Sequence, residues 1–276
     1  LILGGNVTTT DDPNTATING DLSLGGASRT FEVNSGAPAA DLRINANISS
    51  GTVGLATAGF TKTGGGSLFL AGANTYNGTT TINEGQLAVL SDRALGATTS
   101  ILGTPAPTVI NGNGNLFLSA VQVTNEDLTI NSANPGGAFN ASGASIWTGD
   151  ILLNTATFIA SSGSLLLSGP LTGPGGFTKL STGSLSLAGT NANTYSGSTT
   201  VRDGTLLLDK TIASAVGPAD ITVGDGSGTD ILRLARDNQI LDTTELHINL
   251  GGRFDLNDQD ETTGPLDGQG VIGLGS

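Results

Sequence analysis

Short stretches of alternating apolar and polar residues recur along the whole chain. In the first of two clear examples, Leu68 and Leu70 alternate with Ser67 and Phe69. In the second, Leu185 and Leu187 alternate with Ser184 and Ser186. The others are Leu22/Leu24, Leu42/Ile44/Ala46/Ile48, Leu116/Leu118, Leu128/Ile130, Leu165/Leu167, Ile221/Val223, Leu232/Leu234, Leu246/Ile248/Leu250 and Phe254/Leu256. A two-residue period predicts β-strands, and no stretch sustains the three- and four-residue apolar spacing of a helix. The pattern predicts an all-β protein.

One long segment occurs twice. The first copy runs from Gly59 to Leu90 and reads GFTKTGGGSLFLAGANTYNGTTTINEGQLAVL; the second runs from Gly176 to Leu208 and reads GFTKLSTGSLSLAGTNANTYSGSTTVRDGTLLL. The offset between them is 117 residues at the start and 119 after a two-residue insertion in a Gly/Asn turn. Stacked repeats tolerate insertions of this kind in their turns.

Short strands separated by turns are typical of a parallel β-solenoid, in which the chain winds into stacked coils. Asn77-Gly78 matches the turn of an antiparallel hairpin, but its counterpart Ser196-Gly197 keeps only the glycine, which favours a coil corner. A β-sandwich or β-barrel remains the alternative fold. A solenoid with about 20 residues per coil would have roughly 13 to 14 coils and a length of roughly 60 Å. We expect residues 1–276 to form one continuous solenoid segment of a larger protein.

Composition narrows the possible functions. Glycine accounts for 43 of 276 residues and aromatic residues for only 4%, which predicts a narrow core of aliphatic side chains. The net charge of −13 disfavours binding to nucleic acids and to anionic membrane surfaces. Cysteine is absent, so disulfides, thiolate metal sites and a cysteine nucleophile are excluded. No apolar run approaches the length of a membrane helix, and direct membrane insertion is not expected.

Both copies resemble the passenger-associated β-strand repeat of bacterial autotransporters. The resemblance lies in GSLFLAGANTYNGTTTINEGQLAVL of the first copy, and in GSLSLAG followed by NTYSGSTTVRDGTLLL of the second. It implies a right-handed parallel β-helix that is extracellular, at the cell surface of a Gram-negative-type bacterium. The two copies cover 32 and 33 residues of the chain.

The motif residues have structural roles that require no ligand. We expect the motif glycines to form corners or to allow close approach of coils, because glycine adopts positive φ without steric cost. These glycines are Gly72, Gly78, Gly85, Gly189, Gly197 and Gly204. Asn74 and Asn193 are expected to hydrogen-bond neighbouring turns. Tyr76 and Tyr195 are expected to close the edge of a coil, with the hydroxyl on a backbone partner; aromatic sugar binding is the alternative.

Few residues are candidates for other chemistry. Lys62 and Lys179 occupy equivalent positions, and we expect them to point outward as guards against edge pairing. His247, the sole histidine, alternates with apolar neighbours and is predicted on the outer face; no GxSxG motif accompanies it. Asp225 and Asp230 partly match a calcium-binding nonapeptide, but a single copy makes them weak calcium candidates, and a Gly-rich turn is the preferred interpretation. No residue set predicts a cofactor.

A cluster of carboxylates near the end of the chain provides the enzymatic alternative. Its members are Asp255, Asp258, Asp260 and Glu261. Paired carboxylates can act as general acid and base in carbohydrate chemistry, although this run also has the composition of a solvated loop.

The sequence as a whole favours a non-enzymatic structural or adhesive segment, such as a stalk or fibre. The chain begins with Leu1-Ile2-Leu3 and ends near Val271-Ile272, and neither end has the polar cap of a soluble solenoid. We therefore expect neighbouring repeats of the same protein, or a second copy, to stack end to end into a filament. Surface glycans are a further candidate partner. The alternatives are a β-helical carbohydrate-active enzyme and a glycan-binding adhesin.

Overall fold

A computed structural model describes residues 1–51, 57–97, 106–211 and 214–275 of the chain. Strands in these ranges are short, and they are β1 (Val7–Thr8), β2 (Ala16–Ile18), β3 (Asp21–Ser23), β4 (Arg29–Glu32), β5 (Leu42–Ile44), β6 (Asn47–Ser49), β7 (Phe60–Thr63), β8 (Ser67–Leu70), β9 (Thr80–Val89), β10 (Thr108–Ser119), β11 (Gln122–Val123), β12 (Leu128–Asn131), β13 (Phe139–Ser142), β14 (Ala144–Trp147), β15 (Ile151–Leu153), β16 (Thr157–Ser161), β17 (Ser164–Leu167), β18 (Leu171–Thr172), β19 (Phe177–Leu180), β20 (Ser184–Gly189), β21 (Thr199–Val201), β22 (Gly204–Lys210), β23 (Ile221–Val223), β24 (Asp230–Leu234), β25 (Leu246–Ile248), β26 (Gly252–Asp255), β27 (Leu266–Gly268) and β28 (Val271–Gly273). The described ranges contain no helix, and hence none long and apolar enough to cross a membrane.

The strands stack into three parallel columns, one for each face of a winding chain. Column one contains β1, β4, β7, the first half of β9, the first half of β10, β12, β15 and β18. Column two contains β2, β5, β8, the second halves of β9 and β10, β13, β16, β19, β21, β23, β25 and β27. Column three contains two ladders, β3–β6 and β11–β14–β17–β20–β22–β24–β26–β28. Every pairing between the described strands is parallel, which confirms the predicted solenoid and contradicts an antiparallel sandwich.

The coils are longer than predicted, and so fewer. Column two is joined by 11 successive pairings, which corresponds to about 50 Å of stacking. The step from Leu68 to Leu87 takes 19 residues, but the step from Leu87 to Leu116 takes 29. The estimate of 13 to 14 coils was wrong because it applied the shortest spacing throughout, whereas many corners carry loops.

Apolar ladders run along the inside of the shaft. In column three, Leu165, Leu185, Leu206, Leu232 and Phe254 follow one another in register, and all are buried. Parallel in-register stacking places each side chain about 4.8 Å above its predecessor, so that similar side chains pack face to face. Complete burial stabilises the fold by about 1.5–3 kcal/mol for each such residue.

The two motif copies occupy different faces of the solenoid. The GFTK strand of the first copy is β7 in column one, whereas that of the second copy is β19 in column two. Five pairings in column one connect β7 to β18, and β19 follows one corner later. The second copy therefore begins five coils further along the shaft than the first, and on the next face of the coil. The outer surfaces of the two copies point in different directions.

Candidate functional site

An asparagine in each motif copy links three successive coils. Asn74 accepts a hydrogen bond at Oδ1 from the backbone N–H of Ile48 at 2.8 Å. It also donates from Nδ2 to the carbonyl oxygen of Ala94 at 2.5 Å. Asn193 makes the same two contacts in the second copy, at 2.8 and 2.6 Å. Both side chains are buried, so each bridges the coil on either side of its own corner.

The motif tyrosines lie inside the solenoid. The hydroxyls of Tyr76 and Tyr195 share hydrogen bonds with Thr80 Oγ1 at 2.6 Å and Thr199 Oγ1 at 2.5 Å, where a backbone partner was expected. The backbone of Gly217 adds a hydrogen bond to the hydroxyl of Tyr195. Each ring packs edge-on against the phenylalanine of its own GFTK strand, with centroids 5.4 and 5.7 Å apart. Burial raises the pKa of Tyr195 to about 12. Because both rings are buried, neither offers a face to a sugar.

The motif glycines meet two different requirements. The last glycine of each copy, Gly85 and Gly204, has φ of +68° and +69°, a conformation that favours glycine. A Cβ on either of the first glycines, Gly72 and Gly189, would overlap a carbonyl oxygen of the adjacent coil. The middle glycines, Gly78 and Gly197, likewise lie against the backbone of the preceding coil.

The motif lysines point inward, and the prediction of outward lysines was wrong. The Nζ atom of Lys62 donates to three backbone carbonyl oxygens, at 2.8, 2.5 and 3.1 Å, and that of Lys179 does so at 3.0, 2.5 and 2.8 Å. Burial lowers the pKa of each to about 8. Residues two apart in a strand point to the same side, so Lys62 lies on the same side as the buried Phe60. Each lysine thus joins its own corner to the next coil.

One buried carboxyl group, that of Glu126, was not singled out from the sequence. Glu126 is 4% exposed and accepts a hydrogen bond from Thr108 Oγ1 at 2.7 Å. Burial raises its pKa to about 8. Thr108 lies directly above Thr80, the partner of Tyr76, so the carboxyl group continues a line of buried hydroxyl contacts. No sequence pattern marks Glu126, because its burial depends on which coil lies beside it.

The candidate catalytic carboxylates are held in separate local contacts. Asp255 is buried and pairs with Arg233 at 2.7 Å. Glu261 accepts hydrogen bonds from two backbone N–H groups, those of Gln239 and Ile240, at 2.6 and 3.2 Å. Among the described residues, these carboxylates form no group of three converging acidic ligands.

The weak calcium candidates stabilise a turn. Asp225 Oδ1 accepts from the N–H and hydroxyl of Ser227 at 3.1 and 2.8 Å, and these bonds lower the pKa of the carboxyl group. Asp230 is buried between two glycines of the neighbouring coils, and its Oδ2 accepts from the N–H of Asp225 at 3.3 Å. Burial raises the pKa of Asp230 to about 6. The two side chains belong to no cluster of three ligating groups in the described ranges.

His247 lies on the outer face of column two, as its alternation predicts. Its Nδ1 is 2.7 Å from Asp267 Oδ1 on the next coil. The ring borders a shallow groove of about 720 Å³, which Thr222, Asn249 and Gln269 also line. Contact with Asp267 raises the pKa of the imidazole. Asp220 and Glu245 complete a group of three ligating side chains at this point, which the sequence alone did not reveal.

These contacts define a class of protein: a parallel β-solenoid whose corners are joined by a recurrent set of asparagine, tyrosine, glycine and lysine residues. The model of the passenger-associated-transport-repeat matches residues 60–89 and 177–208, which are the two motif copies. The chain belongs to the autotransporter passenger repeat family, and the resemblance seen in the sequence is confirmed.

A named relative extends the similarity beyond the motif copies. The chain is 35% identical over 221 residues to "Adhesin BmaC autotransporter" of Brucella suis biovar 1 (strain 1330). The alignment covers 76% of this chain but only 6% of that protein, so the chain spans a small part of the relative's length. No solved structure matches the chain.

Proposed function

We propose that this chain is a non-enzymatic spacer segment of an adhesin-like surface protein, located outside a Gram-negative-type bacterial cell. The observation that carries the proposal is the continuous column of 12 parallel strands, β2 to β27, which runs from one end of the segment to the other. Such a shaft holds its two ends at a fixed separation. The similarity to a protein named as an adhesin supports this role.

The two ends of the shaft present apolar side chains. Leu1 and Ile2 are 76% and 74% exposed at one end, and Val271 and Ile272 are 58% and 45% exposed at the other. An open strand edge also carries unpaired backbone groups that favour pairing with another strand. We propose that neighbouring coils of the same protein cover these edges. The great length of the relative is consistent with many further coils.

An association experiment tests the proposed edges. If the exposed edges pair with the edges of other copies, the isolated segment should associate end to end as its concentration rises, as measured by sedimentation velocity. Ile272→Lys should weaken that association, since a charge at the open edge disfavours strand pairing. Leu152→Lys is the matched control, because Leu152 is 37% exposed, similar to Ile272, but lies on β15 in the middle of the shaft. A segment that stays monomeric at every concentration would contradict end-to-end pairing.

A coil deletion tests the spacer role itself. Ala144 pairs with Ser164, so removing residues 144–163 deletes one winding in register and should shorten the shaft by about 5 Å. In the full-length surface protein, we expect this variant to fold and to retain the adhesion that the intact protein shows. Removing residues 144–153 deletes only half a coil and should disrupt the fold. Loss of adhesion in a folded, correctly exported 144–163 deletion would instead place the binding surface within this segment.

A further inference from the structure

Three potential metal ligands meet on the outer face of column two. Glu245 and His247 flank the buried Leu246, so both point outward from the same strand. Ile221 pairs with Leu246 in the parallel ladder, which places Asp220 directly beside Glu245 on the preceding coil. One ligating atom from each of Asp220, Glu245 and His247 lies within 4.8 Å of the other two. Register between two coils therefore creates the cluster.

A fourth residue fixes the orientation of the imidazole. Asp267 Oδ1 lies 2.7 Å from Nδ1 of His247, which holds the proton on Nδ1 when the ring is neutral. The lone pair of Nε2 is then free, and Nε2 lies 3.9 Å from Glu245 Oε1. A histidine that ligates a metal typically donates its second ring N–H to a carboxylate in this manner.

The ligand set indicates the kind of ion. One imidazole and two carboxylates suit borderline divalent ions such as zinc or cobalt better than calcium, which prefers six or more oxygen atoms. Zinc lies about 2.0–2.2 Å from nitrogen and oxygen ligands, so the three atoms would have to approach one another by roughly 1 Å. Asp220 and Glu245 can move by this amount, because Asp220 is exposed and the side chain of Glu245 is 42% exposed. The backbone between them stays paired, since the N–H of Ile221 donates to the carbonyl oxygen of Glu245 at 2.9 Å.

The electrostatic setting also favours a cation. Residues 201–276 contain 13 of the 23 acidic residues and 5 of the 10 basic residues. The titratable groups that face His247 are Asp220, Glu245 and Asp267, and all three are acidic. Concentrated negative charge raises the local concentration of cations at such a surface.

We propose that Asp220, Glu245 and the Nε2 atom of His247 form a binding site for a divalent transition metal ion, with zinc as the representative ion. Asp267 is a positioning residue that orients the imidazole. Water fills the remaining coordination positions from the groove. The site adds a ligand-dependent function to a segment otherwise proposed to be a passive spacer. One ion joins two successive coils, and Asp267 of the third coil hydrogen-bonds to the histidine ligand.

Zinc titration of the tag-free protein tests the site. Isothermal titration calorimetry near neutral pH should give one zinc ion per chain, and His247→Ala should abolish saturable binding. Asp267→Asn should weaken binding by about 10- to 100-fold, as expected for a residue that orients a ligand. Asp11→Asn, which removes one charge at the distant end of the chain, is the matched control and should bind like the wild type. Circular dichroism establishes that each variant is folded.

Nuclear magnetic resonance supplies a test that needs no variant. His247 is the only histidine in the sequence, so its imidazole signals are assigned without ambiguity. Zinc should shift the ¹⁵N resonance of Nε2 far more than that of Nδ1. Absence of saturable zinc binding, an unchanged Nε2 resonance, or zinc binding that persists in His247→Ala would each overturn the proposal.

Discussion

At the residue scale, each motif copy buries the side chains of an asparagine, a tyrosine and a lysine, together with the threonine that bonds to the tyrosine. In the second copy the first three are Asn193, Tyr195 and Lys179, and all three have hydrogen-bond partners. The asparagine bonds to the coils on either side, and the lysine bonds both to its own corner and to the next coil. The threonine that bonds to the tyrosine lies on the same corner as the tyrosine. Buried polar groups without partners are costly, so these contacts favour one alignment of the coils over its alternatives.

Removal of the tyrosine hydroxyl tests the first of these contacts. Tyr195→Phe should lower the free energy of unfolding by about 1–3 kcal/mol, because Thr199 Oγ1 is then buried without a partner. Adding Thr199→Val should recover most of the loss, since no unpaired group remains. Urea unfolding followed by circular dichroism measures both variants. A double variant as unstable as the single one would contradict the assigned hydrogen bond.

Glu126 should make stability depend on pH. Its pKa rises from an ordinary value of 4.5 to about 8 in the folded protein, so between these pH values the folded state holds a proton that the unfolded state has lost. Stability from this group is complete below pH 4.5 and is lost as the pH rises to about 8, at a slope of about 1 kcal/mol per pH unit.

Glu126→Gln isolates this contribution. Because glutamine does not titrate, the slope difference between wild type and variant from pH 5 to pH 8 should report Glu126 alone. Urea unfolding at several pH values measures it. Lys62 and Lys179, with pKa values lowered to about 8, act in the opposite direction at higher pH in both proteins. Parallel stability curves for the two proteins would show that Glu126 titrates normally.

At the scale of the strand and corner, close stacking of backbone on backbone sets the shape of a coil. Gly78 lies against Gly59 of the preceding coil, and a Cβ at either position would overlap backbone atoms of the other segment. Gly65, in the same motif copy, has only the end of the Glu84 side chain within 4 Å of its Cβ position, at 3.9 Å. Glycine is thus required at some corners and only tolerated at others.

Two alanine substitutions compare these corners. Gly78→Ala should lower the free energy of unfolding by about 2 kcal/mol or more, because neighbouring backbone cannot move away without breaking the ladder. Gly65→Ala should change it by less than about 1 kcal/mol, since the added methyl group meets open space. Thermal unfolding of the two variants under the same conditions measures the difference. Equal effects of the two substitutions would show that contact with neighbouring backbone does not explain the glycine at position 78.

At the scale of the whole molecule, charge is unevenly distributed along the shaft. Residues 201–276 carry 13 acidic and 5 basic side chains, whereas residues 139–170 carry Asp150 as their single charge. Like charges on successive coils repel one another across the short spacing of a parallel stack. The acidic coils are therefore held together against a repulsion that the central coils do not experience.

Salt should relieve that repulsion locally. Raising the NaCl concentration from about 0.01 M to about 1 M shortens the Debye length from about 30 Å to about 3 Å. Amide hydrogen exchange should then slow several-fold in β24 to β28, but remain almost unchanged in β14 to β17, which serve as an internal control. Uniform slowing along the chain would mean that salt acts on the fold in general and not on the acidic coils.

Much of the fold could be predicted from local patterns. Alternation correctly marked Leu165/Leu167 and Leu232/Leu234 as inward-facing strand residues, and the repeated segment identified the family. The strands that alternation missed include β16 and β21, where threonine takes inward positions such as Thr157 and Thr199. A hydroxyl at an inward position resembles a surface residue unless its buried partner is known.

What the sequence by itself determined is the two-residue period, the all-β class and the corner residues, because each depends on a few neighbours in the chain. What only the tertiary structure decided is the register in which strands of successive coils pair. Loops of variable length make each coil 19 to 29 residues long in column two, and these lengths determine which outward side chains become neighbours. Asp220, Glu245 and His247 meet only because their strands stack in step, and the burial of Glu126 depends on the same non-local alignment.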